Sequence, residues 1–290
     1  MMKPFQRFLP AIATLALSTL GTGASQAIEV TVSPKQPTLG ETLSVIVTPD
    51  PGESLTTAPS VSVNGKEFPA FQIAANRWRA LIPTTPLEQY GRRPLTVQGN
   101  QKQRNLMLWI GQRWFPTQSI WLPPSKQDDT GTDYEFDRMD ALKAMVTPVK
   151  HWSGPFIRPN NGPLSTGFGV RRYYNGVFAN DYYHRGLDYA GYAGSPVLAA
   201  AQGKVVLVGR EANGFEIHGN SVGIDHGQGV ITIYIHLQDI SVQEGQMVSP
   251  GQKIGTVGST GASTGPHLHY GFYVNGQAVD PAQWQAQNFE

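Results

Sequence analysis

The run Val230-Ile231-Thr232-Ile233-Tyr234-Ile235-His236-Leu237 sets branched apolar residues at alternate positions. That is the period of a strand, not of a helix. Gly227-Gln228-Gly229 supplies a turn before it, and Val222 and Ile224 repeat the period on the other side of that turn. Val205, Leu207 and Gly209 read as an earlier strand. His267, His269 and Gly271 read as a later one, running on through Phe272 and Val274 to the turn Asn275-Gly276. From about Gly162 onward the sequence predicts an antiparallel β domain with almost no helix.

The N-terminal part has the same period. Val30 and Val32 alternate with polar residues, as do Leu43, Val45 and Val47. Val61 and Val63 run into Asn64-Gly65, a hairpin signal. Phe71 and Ile73, then Trp78, Ala80 and Ile82, then Leu95 and Val97, then Leu106, Leu108 and Ile110 complete the series. Short strands at this spacing predict an immunoglobulin-like β-sandwich over residues 28–112. It carries no catalytic cluster and reads as a spacer or adhesion module. Residues 113–160 read as a connector. Within it Thr132 and Glu135 form a capping box, and Phe136, Met139, Leu142 and Val146 fall at helical spacing. One packing helix is expected there, in a chain that is otherwise all-β.

Charged residues make up 15% of the chain and the formal net charge is +1, so no basic face argues for nucleic acid. Lys3, Arg7, the apolar stretch from Phe8 to Leu20 and the small-residue end Ala24-Ser25-Gln26-Ala27 read as a signal peptide over residues 1–27. The apolar stretch falls short of the roughly 20 residues of a spanning helix, and Pro10 interrupts it. Membrane attachment is expected only if that segment is retained. Cysteine is absent, so a metal site here must use histidine and carboxylate.

Histidines stand at 151, 184, 218, 226, 236, 267 and 269. In His184-Arg185-Gly186-Leu187-Asp188 the histidine and the carboxylate are four apart. Gly186 and Gly191 argue against helix, and on a strand the two share a face. His267 and His269, two apart, also share a strand face, though alternating surface histidines would look the same. The small-residue loop Gly261 to Pro266 delivers that strand, and loops of this kind let a ligand approach the backbone. His236 ends an apolar strand. This set suits catalytic zinc, which takes three protein ligands and leaves one position for water. Such a centre lowers the pKa of that water to about 7, and two spare imidazoles could act as base, acid or oxyanion donors. Spacing alone leaves open which of His267 and His269 binds metal.

His-x-x-x-Asp, then a lone histidine, then His-x-His, in that order, resembles the lysostaphin-type (LytM-like) zinc endopeptidases. The surrounding segments are similar too: Leu164 to Arg171, Gly219 to Gly227, and Gly255 to Gly261 leading into Thr264-Gly265-Pro266-His267-Leu268-His269. The likeness covers roughly residues 160–282, and several motifs agree in order. It implies a compact metallopeptidase domain over residues 161–285, with His184, Asp188 and His269 as zinc ligands and His236 and His267 as the catalytic pair. The segment Gly176 to Tyr183 and the loop Ser259 to Pro266 would flank a groove, with Tyr182, Tyr183, Ser263 and Thr264 as candidate substrate contacts. His226 and His218 are read as structural. The implied function is a zinc-dependent endopeptidase acting on peptide cross-links or stem peptides of bacterial peptidoglycan. The implied setting is an exported monomer in the periplasm or cell envelope. The alternative is a catalytically silent activator of other wall hydrolases; retention of all five positions favours the enzyme.

Overall fold

The computed structural model describes residues 28–121 and 131–289. The expected signal peptide and most of the polar stretch after Trp121 lie outside them. Among the described residues no helix is long and apolar enough to cross a membrane.

The N-terminal strands form two four-stranded antiparallel sheets. In chain order one runs first, second, sixth, fifth strand, and the other fourth, third, seventh, eighth. They enclose a core of Leu43, Val45, Val47, Val61, Leu95 and Val97, all at 0% exposure. This is a two-sheet sandwich, and its strand order is compatible with the immunoglobulin-like expectation. Asn64 and Gly65 both take positive φ between the strands Ser60–Val63 and Lys66–Phe68, as a tight hairpin requires.

The C-terminal part is built on a ten-stranded sheet. Its central path runs Gly186–Ala190, His267–Val274, Val230–Ile240, Asn220–Gly227, Gly203–Gly209. Alternation divides the strand His267–Val274 into two faces. Leu268, Tyr270, Phe272 and Val274 are fully buried in the main core. The short helix Pro281–Ala286 covers that face, with the Trp284 ring 4.7 Å from that of Phe272 and tilted to it by 30°. His267 and His269 look out on the other face.

The sandwich is fastened to this helix by buried polar contacts. The backbone N–H of Thr42 donates to Gln283 Oε1 (2.7 Å), and Trp284 Nε1 donates to Thr42 Oγ1 (3.0 Å). Buried Arg79 donates to Gln228 and to the carbonyl of Phe289. None of these contacts uses a residue of the histidine face.

The connector departs from expectation. Thr117–Ile120 is a strand, paired in parallel with Arg171–Tyr174. The helix forms over Asp133–Lys143 with Thr132 as its cap, its hydroxyl accepting from the N–H of Glu135 at 3.1 Å. It stops before Val146, which is exposed, as is Phe136; only Met139 and Leu142 of the expected stripe are buried. The reciprocal half of the capping box is absent, because Glu135 has other partners. Its fully buried carboxylate accepts from the backbone N–H groups of Glu216, Ile217 and His218 and from His218 Nδ1. These bonds hold its pKa below the usual carboxylate value against the opposing effect of burial.

Two predictions follow from these buried groups. Glu135→Ala strands three amides and an imidazole, and should destabilise the protein by roughly 3 kcal/mol; the urea midpoint reads this, and a change below about 1 kcal/mol would exclude it. His226 is wholly buried between the Gln202 carbonyl (2.7 Å) and the Thr232 hydroxyl (2.8 Å). Burial pushes its pKa down to about 4. Unfolded histidine titrates near 6.5, so the unfolded chain binds more protons as pH falls from about 6.5 to about 4, and stability drops across that window. A contribution of roughly 3 kcal/mol is expected, visible as a steeper stability–pH slope than that of His226→Gln.

Candidate metal centre

The strand Gly186–Ala190 pairs antiparallel with His267–Val274, in a register that sets Asp188 directly opposite His269. Cross-strand partners share a face, so carboxylate and imidazole meet, Asp188 Oδ1 lying 2.9 Å from His269 Nδ1. A Cβ on Gly186 would fall 2.3 Å from the carbonyl oxygen of Tyr270 and 2.8 Å from His269 Nε2. Only glycine leaves room for the ring there.

His184 is not on that strand, contrary to the strand expectation for His184 to Asp188. It lies two residues ahead, where its backbone exchanges 2.8 Å bonds with Gly169 and Val170. Its Nδ1 is 2.8 Å from the carbonyl oxygen of Gly167. A carbonyl only accepts, so Nδ1 carries the hydrogen and Nε2 keeps its lone pair. That Nε2 lies 3.0 Å from Asp188 Oδ1 and 3.0 Å from His269 Nδ1. Two nitrogens and one carboxylate oxygen converge in a buried space.

This donor set fits zinc. Tetrahedral arms of about 2.1 Å place donors roughly 3.3 Å apart, so the three atoms need to separate by only about 0.3–0.4 Å to hold an ion. The Gly167 carbonyl holds the His184 ring with Nε2 toward the other two donors, as a hydrogen bond to the far nitrogen of a metal-binding imidazole does.

His267 and His236 stand beside the triad. His267 Nδ1 donates to the Gly265 carbonyl (2.8 Å), turning Nε2 inward to 3.9 Å from Asp188 Oδ1. His236 Nδ1 donates to the Thr260 carbonyl (2.9 Å). The two rings are 4.8 Å apart, and His236 is 6.4 Å from the ring of His269. Strict alternation would send His236 to the opposite face, since Ile235 is the residue paired with His269. A bulge prevents this. Leu237 and Tyr234 pair with Asn220 and Val222, so the strand Val230–Ile240 carries one residue more than its partner. His236 takes φ +63° there, a conformation uncommon outside glycine that redirects the side chain. Burial pushes the pKa of His236 down to about 3, with His267 and His269 adding to the effect. Burial likewise pushes His269 down to about 4. For Asp188 burial acts upward, but its bonds to His184 and His269 prevail and hold it far below the carboxylate range.

The candidate substrate contacts divide. Tyr182 and His184 lie on one face of their segment, and Tyr182 Oη accepts from Arg172 Nη1 at 3.0 Å. Tyr183 is corrected: alternation turns it into the core, where it is 4% exposed and donates to the Ala278 carbonyl. Ser263 is largely buried and bonds within its own loop, donating to the Gly265 carbonyl and lying near His267 Nδ1, so it shapes the turn behind His267. Thr264 is exposed at the loop tip. Sequence reading did not find the carbonyls of Gly167, Thr260 and Gly265, which every residue type carries, nor the second set of contacts made by Glu135.

Residues 182–281 match Peptidase family M23. A stretch of 98 residues is 50% identical to DD-carboxypeptidase/endopeptidase Mpg of Neisseria meningitidis, covering 34% of this chain and 22% of that protein. A similar stretch is 46% identical to peptidoglycan DD-endopeptidase ShyC of Vibrio cholerae, with the same coverage. The match thus spans about a fifth of the length of these curated relatives. A crystal structure from Pseudomonas aeruginosa described as a peptidase M23 superposes with a TM-score of 0.63 at 29% identity, over 86% of this chain and 94% of that one.

Metal analysis should find about one zinc per chain. His269→Ala should reduce this at least tenfold, whereas His236→Ala should retain it; equal loss in both variants would make His236 a ligand instead.

Proposed function

From the premise that residues 182–281 of this chain are a peptidase family M23 domain, we propose that the protein is a zinc-dependent endopeptidase. Its substrate is the peptide part of bacterial peptidoglycan, in the cell envelope. The observation that supports this best is the convergence of His184 Nε2, His269 Nδ1 and Asp188 Oδ1 within 3.0 Å of one another, with two more imidazoles alongside.

His184, Asp188 and His269 would hold the ion. When bound, zinc supplies a Lewis acid that activates water and polarises the peptide carbonyl. The chain's own residues handle the proton. Nδ1 of both His236 and His267 is occupied by a carbonyl, so each offers Nε2 to the same space. His236 is neutral at working pH, because burial depresses its pKa. An Nε2 of this pair takes the proton of the attacking water and returns it to the leaving amine, as general base and then general acid. The protonated imidazole in between adds positive charge where the carbonyl oxygen becomes negative.

Mass spectrometry of fragments released from defined, cross-linked peptidoglycan should show new amine and carboxylate ends at one peptide bond. His236→Ala should lower kcat on that bond by at least about a hundredfold with zinc content unchanged. A zinc-loaded protein that releases nothing, yet accelerates another hydrolase, would sink the enzymatic reading in favour of an activator.

A further inference from the structure

The His184 N–H donates to the Val170 carbonyl, and the Gly169 N–H donates to the His184 carbonyl. Tyr182 stands two residues before His184, and Arg172 two residues after Val170. Their side chains touch: Arg172 Nη1 donates to Tyr182 Oη at 3.0 Å. Arg172 Nε reaches Gln118 Oε1 (3.3 Å), and Nη1 also reaches Tyr174 Oη (3.4 Å). All three partners are neutral. No carboxylate lies within ion-pair distance of this half-buried guanidinium among the described residues, and its Nη2 has no hydrogen-bond partner among them. The strand Thr117–Ile120 of the connector braces the arrangement, Gln118 sitting opposite Arg172 in register. A second cation, Arg185, lies over the Tyr182 ring at 5.4 Å.

A partly desolvated guanidinium with its Nη2 uncommitted and only neutral neighbours is suited to take a carboxylate through a charge-assisted hydrogen bond from Nη2. We propose that Arg172, oriented by Tyr182, Tyr174 and Gln118, forms a carboxylate-binding subsite beside the metal centre. It reads a free carboxylate on the substrate peptide close to the scissile bond and discriminates against the carboxamide. This rests on the endopeptidase reading above and adds to it the charge state of the substrate.

The test uses the full zinc-loaded protein and two synthetic cross-linked stem peptides, identical except that the carboxyl group nearest the scissile bond is free in one and amidated in the other. Wild type should cut the free acid with a kcat/KM about tenfold or more above that for the amide. Arg172→Gln should bring the acid-to-amide ratio of kcat/KM to about one, through a raised KM on the acid, with zinc content unchanged. Tyr182→Phe should weaken the preference partially. Equal cutting of both peptides by wild type overturns the subsite and leaves the endopeptidase reading intact. Equal loss on both peptides in Arg172→Gln also overturns it, since that is a general structural effect. If wild type cuts neither, the endopeptidase reading fails, and calorimetric binding of the same pair with a reduced, non-hydrolysable linkage decides the subsite. Tighter binding of the acid that Arg172→Gln abolishes sustains it; equal binding refutes it.

Discussion

Two imidazole nitrogens and a carboxylate oxygen, each presenting a lone pair, are held about 3 Å apart in a space largely closed to water. Such a cluster is unfavourable unless a cation or shared protons occupy it. The fold has to hold it together by force of connectivity. The register that faces Asp188 with His269 does part of this. The missing side chain at Gly186 and the carbonyl of Gly167 do the rest. Although burial acts upward, the bonds from His184 and His269 hold the Asp188 carboxyl well below the usual carboxylate range, which favours its ionised form.

What covers the sheet on either side is arranged around this cluster. The face opposite the histidines is sealed by aromatic packing of Phe156, Phe272 and Trp284, so the rigid side of the strand His267–Val274 backs the chemical side. The N-terminal sandwich grips that sealed side through directed polar bonds to Gln283 and Trp284 rather than through a loose apolar contact. Buried hydrogen bonds of this kind specify one orientation, because any other would leave them unmade. A module that reads from sequence as a spacer is thus seated at a fixed angle, and the strand Thr117–Ile120 carries that fixity to the wall next to Arg172.

Period-two patterns are local, and they were legible. The main strands, the Asn64-Gly65 turn and the common face of His267 and His269 could all be read from neighbouring residues. The Thr132 cap was legible for the same reason. What escaped was non-local. The outward turn of His236 depends on a bulge that exists only against the strand Asn220–Gly227. The inward turn of Tyr183 depends on where the pairing of Val170 with His184 begins. Glu135 looked like half of a capping box because its real partners, the amides of residues 216–218, are some eighty positions away. The family resemblance supplied the choice of His269 over His267, and the cross-strand register gives it a physical reason: Asp188 faces His269, while His267 faces Ala190.

Three of the four site imidazoles take their orientation from peptide carbonyls, those of Gly167, Thr260 and Gly265. A carbonyl survives every amino-acid replacement at its own position. Mutational drift at those three positions can therefore alter the side chains displayed around the histidine cluster without erasing the acceptors that aim the rings. What the arrangement does not tolerate is a change in loop length, which moves the peptide plane itself. A lineage of such proteins would be free to vary the composition of these loops while keeping their count of residues, and an engineer seeking new specificity should recolour the loops, not resize them.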